Sequence, residues 1–272
     1  MKCHTPGCTV KMNWFRRYVL KRPGYYLESY WYCSETCLEK GVAGRLEKRG
    51  RVRNVVATSR FHLKLEHILL GSGVITREQL NMALAEPVGD PPGGLWHRLM
   101  ALGLVNERDI TLALSRLFNI PVIKVNSRRI SSSVLNIIPI EIVANHSFFP
   151  LEFDHNEKRL VLVTHDPADL SVIVKLRGIL DCEVTTYLSE ESVVRGMIAQ
   201  YCRLSALTRA DGQIAHMGSP NGAHDVAHWI VRRAKTIHAQ SLQVCCLDEF
   251  IWTRFLVGQK PFNCVLSATR AA

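Results

Sequence analysis

The sequence lacks the features of a membrane protein, a secreted protein and a nucleotide hydrolase. Its apolar runs all fall short of the roughly 18 residues that cross a bilayer, and its first residues have no apolar signal-peptide core. The motif Gly-x4-Gly-Lys-[Ser/Thr], whose backbone amides cradle phosphates in P-loop ATPases, does not occur. We therefore expect a cytoplasmic protein that is not an enzyme.

Acidic residues are scarce only at the N-terminus. Residues 1–60 carry 13 Lys or Arg against 4 Asp or Glu, whereas residues 61–272 carry 21 against 20. The net charge of +10 therefore belongs almost entirely to the N-terminal module. Aromatic residues at 25–32 and basic residues at 40–53 indicate a surface for nucleic acid or anionic lipid. The alternative is a solvated basic helix whose aromatic side chains form a small core.

Four of the nine cysteines form two close pairs, Cys3-x4-Cys8 and Cys33-x3-Cys37, separated by 24 residues. This is the spacing of a tetrahedral structural zinc site, in which each of two short loops presents two sulfurs. We predict a structural Zn²⁺ held by Cys3, Cys8, Cys33 and Cys37, with His4 as an alternative to Cys3. The remaining interpretation is four ordinary reduced thiols. A filled set of four ligands leaves no open position for catalysis.

The segment from Trp31 to Cys37 also resembles the aromatic-Cys-Ser-x-x-Cys half of treble-clef fingers. In those fingers the second cysteine pair lies at the start of a helix, which would here run over 35–49. A module of about 50 residues with few aliphatic side chains needs a bound metal ion to fold.

A 24-residue segment, 64–87, recurs thirty positions later as 94–117. Each copy predicts a short helix, a glycine turn at Gly73 or Gly103, and a second helix capped by Thr76 or Asn106. Each helical hairpin is too small to bury its apolar face alone, so the two copies must stack. The aliphatic framework common to both copies consists of Leu65, Leu69, Leu80 and Leu84, and of Leu95, Leu99, Ile110 and Leu114.

This repeat resembles the N-terminal domain of type II secretion and type IV pilus assembly ATPases, which in some members binds cyclic di-GMP. The resemblance implies ligand positions at Lys64, Leu65, Leu69, Gly73, Leu95, Leu99 and Gly103. The family's early glycine is replaced by Glu66 in the first copy and by Trp96 in the second. A carboxylate and an indole at those positions would oppose a phosphate ligand, by like charge and by bulk respectively.

The resemblance continues in order through residues 118–203, which predict a small α/β layer, and it weakens after that. We expect an α+β multi-domain protein with five segments: a four-cysteine, treble-clef-like zinc finger with a basic helix (1–54), a helical-hairpin repeat subdomain (60–118), a small α/β subdomain packed with it (119–203), a linker (204–222), and an αββ remnant of the next ATPase domain (223–272).

The resemblance implies a non-catalytic adaptor or regulatory protein that docks to a secretion or pilus machine. Its partners would be the inner-membrane platform or the ATPase subunits, with the protein in the cytoplasm or peripheral at the inner membrane. Two alternatives stay open. One is a cyclic di-GMP sensor with degenerate motifs, and the other is a zinc-finger protein that binds nucleic acid through residues 1–60.

Overall fold

The computed structural model describes residues 1–13, 18, 24–50, 58–85, 94–125, 134, 137–167, 170–208, 222–247, 250–258 and 260–267. Over these residues the protein is mixed α+β, with nine helices and two sheets. None of the described helices is long and apolar enough to cross a membrane.

The N-terminal module contains a hairpin and a helix. Strands β1 (Tyr25–Leu27) and β2 (Tyr30–Tyr32) pair antiparallel, and α1 (Glu35–Gly50) follows. The side chain of Ser34 begins α1, because its hydroxyl accepts the backbone N–H of Cys37 at 3.3 Å. Leu38, Val42 and Leu46 recur at helical spacing and form the buried face of α1.

The repeat forms two helical hairpins, α2 (Thr58–Gly71) with α3 (Arg77–Ala85) and α4 (Gly94–Ala101) with α5 (Glu107–Phe118). Helix α2 packs on α5 and α3 packs on α4, so the two copies share one core. Both predicted caps bond reciprocally with the residue three positions later, Thr76 with Gln79 and Asn106 with Asp109. The turns before them place their glycines at φ +70° and +67°, where a side chain would be strained.

One position breaks the symmetry of the repeat. Leu84 was expected in the apolar framework, yet it is 51% exposed, whereas its counterpart Leu114 is 5% exposed. Leu114 lies in α5, which packs on α2, whereas Leu84 lies in the last turn of the shorter α3. The matching leucines therefore have different environments.

The α/β subdomain is built around a three-stranded sheet of order β3-β4-β5. Its elements are α6 (Ile140–Asn145), β3 (Phe148–Asp154), β4 (Arg159–Thr164), α7 (Leu170–Leu180), β5 (Glu183–Leu188) and α8 (Glu191–Thr208). Strands β3 and β4 are antiparallel, and α7 is the crossover between the parallel strands β4 and β5. After α5 the chain runs beside β5 through a bridge between Val122 and Leu188, which ties the repeat to this sheet.

The C-terminal segment consists of α9 (Ala223–Thr236), β6 (Ser241–Leu247), β7 (Phe250–Val257) and β8 (Lys260–Ser267). It is αβββ, so the predicted αββ pattern lacked one strand. Strand β8 pairs with β7 through Lys260 to Ser267, after a turn in which Gly258 has φ +61°. Pro261 hid this strand in the sequence, because proline disfavours the interior of a sheet but is tolerated on an edge strand.

Strands from the two ends of the chain form one sheet. Its order is β2-β1-β6-β7-β8, and β1 pairs with β6 in parallel through Tyr26 with Ser241 and Leu27 with Leu242. One face of β6–β8 packs on α1 and α9, and the other face contributes to the core of the α/β subdomain, for instance through Trp252. The joint sheet differs from the predicted arrangement, in which 1–54 and 223–272 are separate units.

Candidate functional site

The first cysteine pair lies on a turn closed by backbone hydrogen bonds. The N–H of Cys3 donates to the carbonyl of Val10 at 2.9 Å, and the N–H of Cys8 donates to the carbonyl of Thr5 at 3.1 Å. Gly7 has φ +78° in this turn and allows it to reverse sharply. Cys3 and Cys8 are thereby directed to the same side of the loop.

The second pair lies where β2 ends and α1 begins. Cys33 directly follows β2, and Cys37 occupies the first turn of α1. The hydroxyl of Thr5 donates to the carbonyl of Cys37 at 3.1 Å, and the N–H of His4 donates to the carbonyl of Trp31 at 3.0 Å. These bonds hold the first loop against the second pair.

The four thiols converge as predicted. All four Sγ atoms lie within 4.8 Å of one another, with Cys8 to Cys33 at 3.7 Å and Cys33 to Cys37 at 3.6 Å. Zn–S bonds of about 2.3 Å in a tetrahedron place sulfurs about 3.8 Å apart, so the donor set fits a zinc ion. The imidazole of His4 instead stacks on Tyr30 at 4.0 Å, and Cys3 is the residue that completes the group.

The thiols of this cluster have unequal affinities for protons. Burial opposes ionisation of Cys3, but hydrogen bonds from the backbone of Thr5 and Cys33 outweigh it and lower its pKa to about 6. Burial, together with the hydrogen bonds that its thiol makes to Cys37 and Cys8, raises the pKa of Cys33 to about 12. Ionisation therefore begins at Cys3, and a divalent metal that displaces protons would be needed to bring Cys33 to its thiolate.

A second feature is a cavity of about 300 Å³ between the repeat and the α/β subdomain. One wall is apolar and comes from α4 and α5, with Trp96, Met100, Ile110 and Leu114. The other residues that line the cavity are largely polar or charged, with His97, Glu107, Thr111, Ser147, His165, Asp166, Glu191 and Arg195. Cavities between subdomains with a few convergent polar groups are common ligand sites.

Glu191, at the start of α8, is the centre of the charged network in this cavity. Its carboxylate lies 3.2 Å from Nε2 of His97 and accepts a 2.6 Å hydrogen bond from Nε of Arg195. Burial opposes its ionisation, but the bond from Arg195 and the nearby charges outweigh that effect and lower its pKa. Burial also lowers the pKa of His165, although Glu191 and Asp166 partly oppose the shift. Three carboxylates, those of Glu107, Asp166 and Glu191, line the cavity together with the guanidinium of Arg195.

The residues implied as ligand positions lie mostly in the core of the repeat. Leu65, Leu69 and Leu99 are 0% exposed, and Leu95 is 7% exposed. Gly73 and Gly103 form the two turns, while the side chain of Lys64 lies outside the described residues. None of these leucines lines the cavity, which is bordered instead by Trp96, at the family's glycine position in the second copy.

Sequence patterns do not predict this cavity. His97 is the counterpart of His67 in the repeat, but nothing local in the sequence marks Asp166, Glu191 or Arg195 as its neighbours. His67 is exposed, so the two equivalent histidines have different roles. No local pattern links residues 97, 165 and 191, because only the packing of α8 against the repeat brings them together.

Comparison with known proteins identifies one part of the chain. Residues 118–206 match the family model of the MshEN domain, which confirms the predicted relation to the N-terminal domains of secretion and pilus ATPases for that segment. The match begins at the last residue of α5, after the repeat. No curated protein matches the chain.

Solved structures include two similar chains. The N-terminal domain of XpsE is 20% identical, covering 51% of this chain and 94% of that chain, with a TM-score of 0.40. A structure of MshE with cdg is 22% identical, covering 50% of this chain and 97% of that chain, with a TM-score of 0.42.

Proposed function

We propose that this chain, which carries an MshEN domain over residues 118–206, is a non-catalytic docking adaptor of a type II secretion or type IV pilus machine. The family match is the observation that carries the proposal. The sequence contributes the second argument, because it has no P-loop motif to hold nucleotide phosphates. The protein would act in the cytoplasm, where it would contact the ATPase or the inner-membrane platform and remain peripheral to that membrane.

Exposed apolar side chains of the repeat would form the contact. Met82 and Leu84 on α3 are 57% and 51% exposed, and Leu112 on α5 is 42% exposed. Leu84 is the strongest candidate for this contact, because it is exposed although its counterpart Leu114 is buried in the core of the repeat. Apolar anchors surrounded by polar residues supply most of the binding energy in protein interfaces.

Zinc would have a structural role in this protein. Four cysteine ligands fill a tetrahedral site, so the ion would hold the first loop, the end of β2 and the start of α1 together. Its chemistry would be limited to stabilising four thiolates.

Cyclic di-GMP is disfavoured as the ligand of this chain. In the second copy of the repeat, Trp96 replaces the family's early glycine, and its side chain lines the cavity. The carboxylates of Glu107, Asp166 and Glu191 line the same cavity. A phosphate there would meet like charge at short range. We expect calorimetry with cyclic di-GMP to give no binding heat, and micromolar affinity would contradict this expectation.

The docking role is tested by direct binding measurements. The full chain would be titrated with the purified secretion or pilus ATPase of the same genome, and separately with the cytoplasmic domain of its platform protein. We expect a complex with one of them by analytical ultracentrifugation. Leu84→Glu should abolish it, whereas Glu157→Lys, an exposed charge change in the β3–β4 turn, should leave it intact.

Two outcomes would reject the docking role. The first is the absence of complex with either partner at micromolar concentration, where specific interfaces of standard size assemble. The second is turnover of ATP by the chain alone, since an adaptor without a P-loop should leave ATP unchanged.

A further inference from the structure

We propose that the metal bound by the four-cysteine cluster holds the C-terminal sheet in place, so that loss of the metal releases strands β6–β8 from the N-terminal module. This inference rests on the proposed structural zinc site and concerns its control over residues 223–267, which lie more than 180 positions further along the chain.

Backbone hydrogen bonds join β1 to β6 and to the residue before it. The N–H of Tyr26 donates to the carbonyl of Gln240 at 2.8 Å, and the N–H of Glu28 donates to the carbonyl of Leu242 at 2.8 Å. Strand β1 is therefore the neighbour of β6 within the sheet, and β6 becomes an edge if β1 leaves. Removal of β1 also uncovers the backbone groups of β6 that these bonds satisfy.

The N-terminal module and the C-terminal segment share one hydrophobic core. Nine buried residues of the N-terminal module and eleven of the C-terminal segment form one hydrophobic cluster. From the first group, Leu27, Leu38 and Val42 are 0% exposed, and from the second group, Leu242 and Ile230 are 0% exposed. Among the described residues, the N-terminal module has no other core, whereas the C-terminal segment packs its opposite sheet face on the α/β subdomain. Each would expose a large apolar surface without the other.

The four cysteines that would bind the metal lie within this shared core or pack against it. Cys3 and Cys33 are themselves members of the shared cluster, and Cys37 fixes the first turn of the helix that packs on α9. The hairpin that joins them consists of two strands of three residues each. A two-stranded hairpin of this size is not stable in water by itself, so the metal and the C-terminal segment support it from opposite sides.

The ion pairs between α1 and α9 are too weak to replace the metal. Glu35 lies 3.2 Å from Nζ of Lys235, Glu39 lies 3.4 Å from Nδ1 of His228, and Glu47 lies near His224. All three pairs are partly exposed to solvent, and exposed ion pairs contribute little to stability. They set the register of the two helices, while the cluster of thiolates and the shared core supply the cohesion.

The main test is hydrogen exchange of the full chain before and after removal of zinc with a chelator, with zinc content measured in both samples. We expect the amides of β6–β8 to exchange at least about tenfold faster without the metal, while the amides of α5 keep their protection. Cys264, buried in β8 on the face shared with the N-terminal module, should also become reactive towards a thiol reagent, whereas Cys245, buried in the core of the α/β subdomain, should stay protected, as resolved by peptide mass spectrometry.

A matched pair of variants gives the same test without a chelator. Cys8→Ser removes one ligand and should reproduce the loss of protection in β6–β8. Cys202→Ser changes a cysteine of α8, outside the cluster, and should not.

The reciprocal test changes β6 and measures zinc binding. Leu242→Ala deletes buried side-chain atoms beside β1, and thermodynamic linkage requires that a loss of β6 packing weaken zinc binding. We expect about tenfold lower zinc affinity in competition with a chelating dye. Leu80→Ala, the same deletion in the core of the repeat, should bind zinc as the unmodified chain does.

The outcomes separate the two proposals. A chain that takes up no zinc would reject the zinc site itself. A chain that binds one zinc, yet shows the same protection of β6–β8 in the zinc-loaded and zinc-free forms, would overturn only the coupling. Wild-type zinc affinity in Leu242→Ala would overturn the coupling too, and if that variant fails to fold, the chelation experiment on the unmodified chain decides.

Discussion

The bridge between Glu107 and Ser192 should make a measurable contribution to the joining of the repeat to the α/β subdomain. Glu107 begins α5, and its carboxylate accepts the hydroxyl of Ser192 at 2.6 Å and the backbone N–H of Ser192 at 3.1 Å. Ser192 lies in the first turn of α8, so the carboxylate also faces the positive ends of two helix dipoles. The two residues are 85 positions apart in sequence.

The expected magnitude follows from the type of bond and its exposure. Hydrogen bonds to a charged group contribute about 1.5–3 kcal/mol, and solvent around this pair reduces that value. We expect Glu107→Ala to lower the free energy of unfolding by about 1–2 kcal/mol, with about 1 kcal/mol of coupling to Ser192→Ala in a double-mutant cycle. Because the backbone N–H of Ser192 remains, Ser192→Ala alone should cost less than Glu107→Ala.

The assay is urea unfolding of the four proteins in the cycle, with Glu157→Ala as the control. Glu157 is 64% exposed and lies 3.5 Å from Arg159, so its removal should change stability by less than about 0.5 kcal/mol. A coupling energy near zero between Glu107 and Ser192 would refute the reasoning. The two subdomains would then be held together by their other contacts, which include the bridge between Val122 and Leu188 and the pair of His97 with Glu191.

Three further predictions concern the helix caps, the paired leucines of the repeat and the buried histidine of the cavity. Asn106→Ala should lower the free energy of unfolding by about 1 kcal/mol and Thr76→Ala by slightly less, measured by urea unfolding, because asparagine is the stronger cap. Leu114→Ala should cost about 2–4 kcal/mol, whereas the same change at its exposed counterpart Leu84 should cost less than about 0.5 kcal/mol. Burial lowers the pKa of His165, so the unfolded chain takes up this proton first as pH falls. Stability should therefore decline below about pH 6.5, the usual histidine pKa, and thermal unfolding of His165→Phe should show a smaller decline.

The repeat could be predicted from sequence because its determinants are local. A cap such as Asn106, a glycine such as Gly103 and the spacing of Leu95 and Leu99 all act within one or two helical turns. The same holds for the cluster of four cysteines, because each pair lies in one short loop and the spacing of the two pairs is typical of four donors around one zinc ion.

The joint sheet and the cavity could not be predicted in this way. The pairing of Tyr26 with Ser241 depends on two short strands whose own sequences are compatible with many neighbours. In the cavity, His97 and Glu191 come from different subdomains, and only the docking of α8 on the repeat places them 3.2 Å apart. Local patterns carry no information about such contacts, because their energy depends on the assembled core.

The arrangement of the N-terminal module also bears on the nucleic-acid alternative. Stacking of bases requires exposed aromatic rings, yet Trp31 and Tyr32 are each 2% exposed, and Tyr30, although 43% exposed, has one ring face stacked on His4. Arg45 pairs with Glu28 and lies over the ring of Tyr30. Among the described residues of α1, mainly the exposed lysines could bind a polyanion. Such binding is weak, depends steeply on salt concentration and does not distinguish between base sequences. These contacts are consistent with the proposal that the module is the part of the joint sheet that a metal would hold.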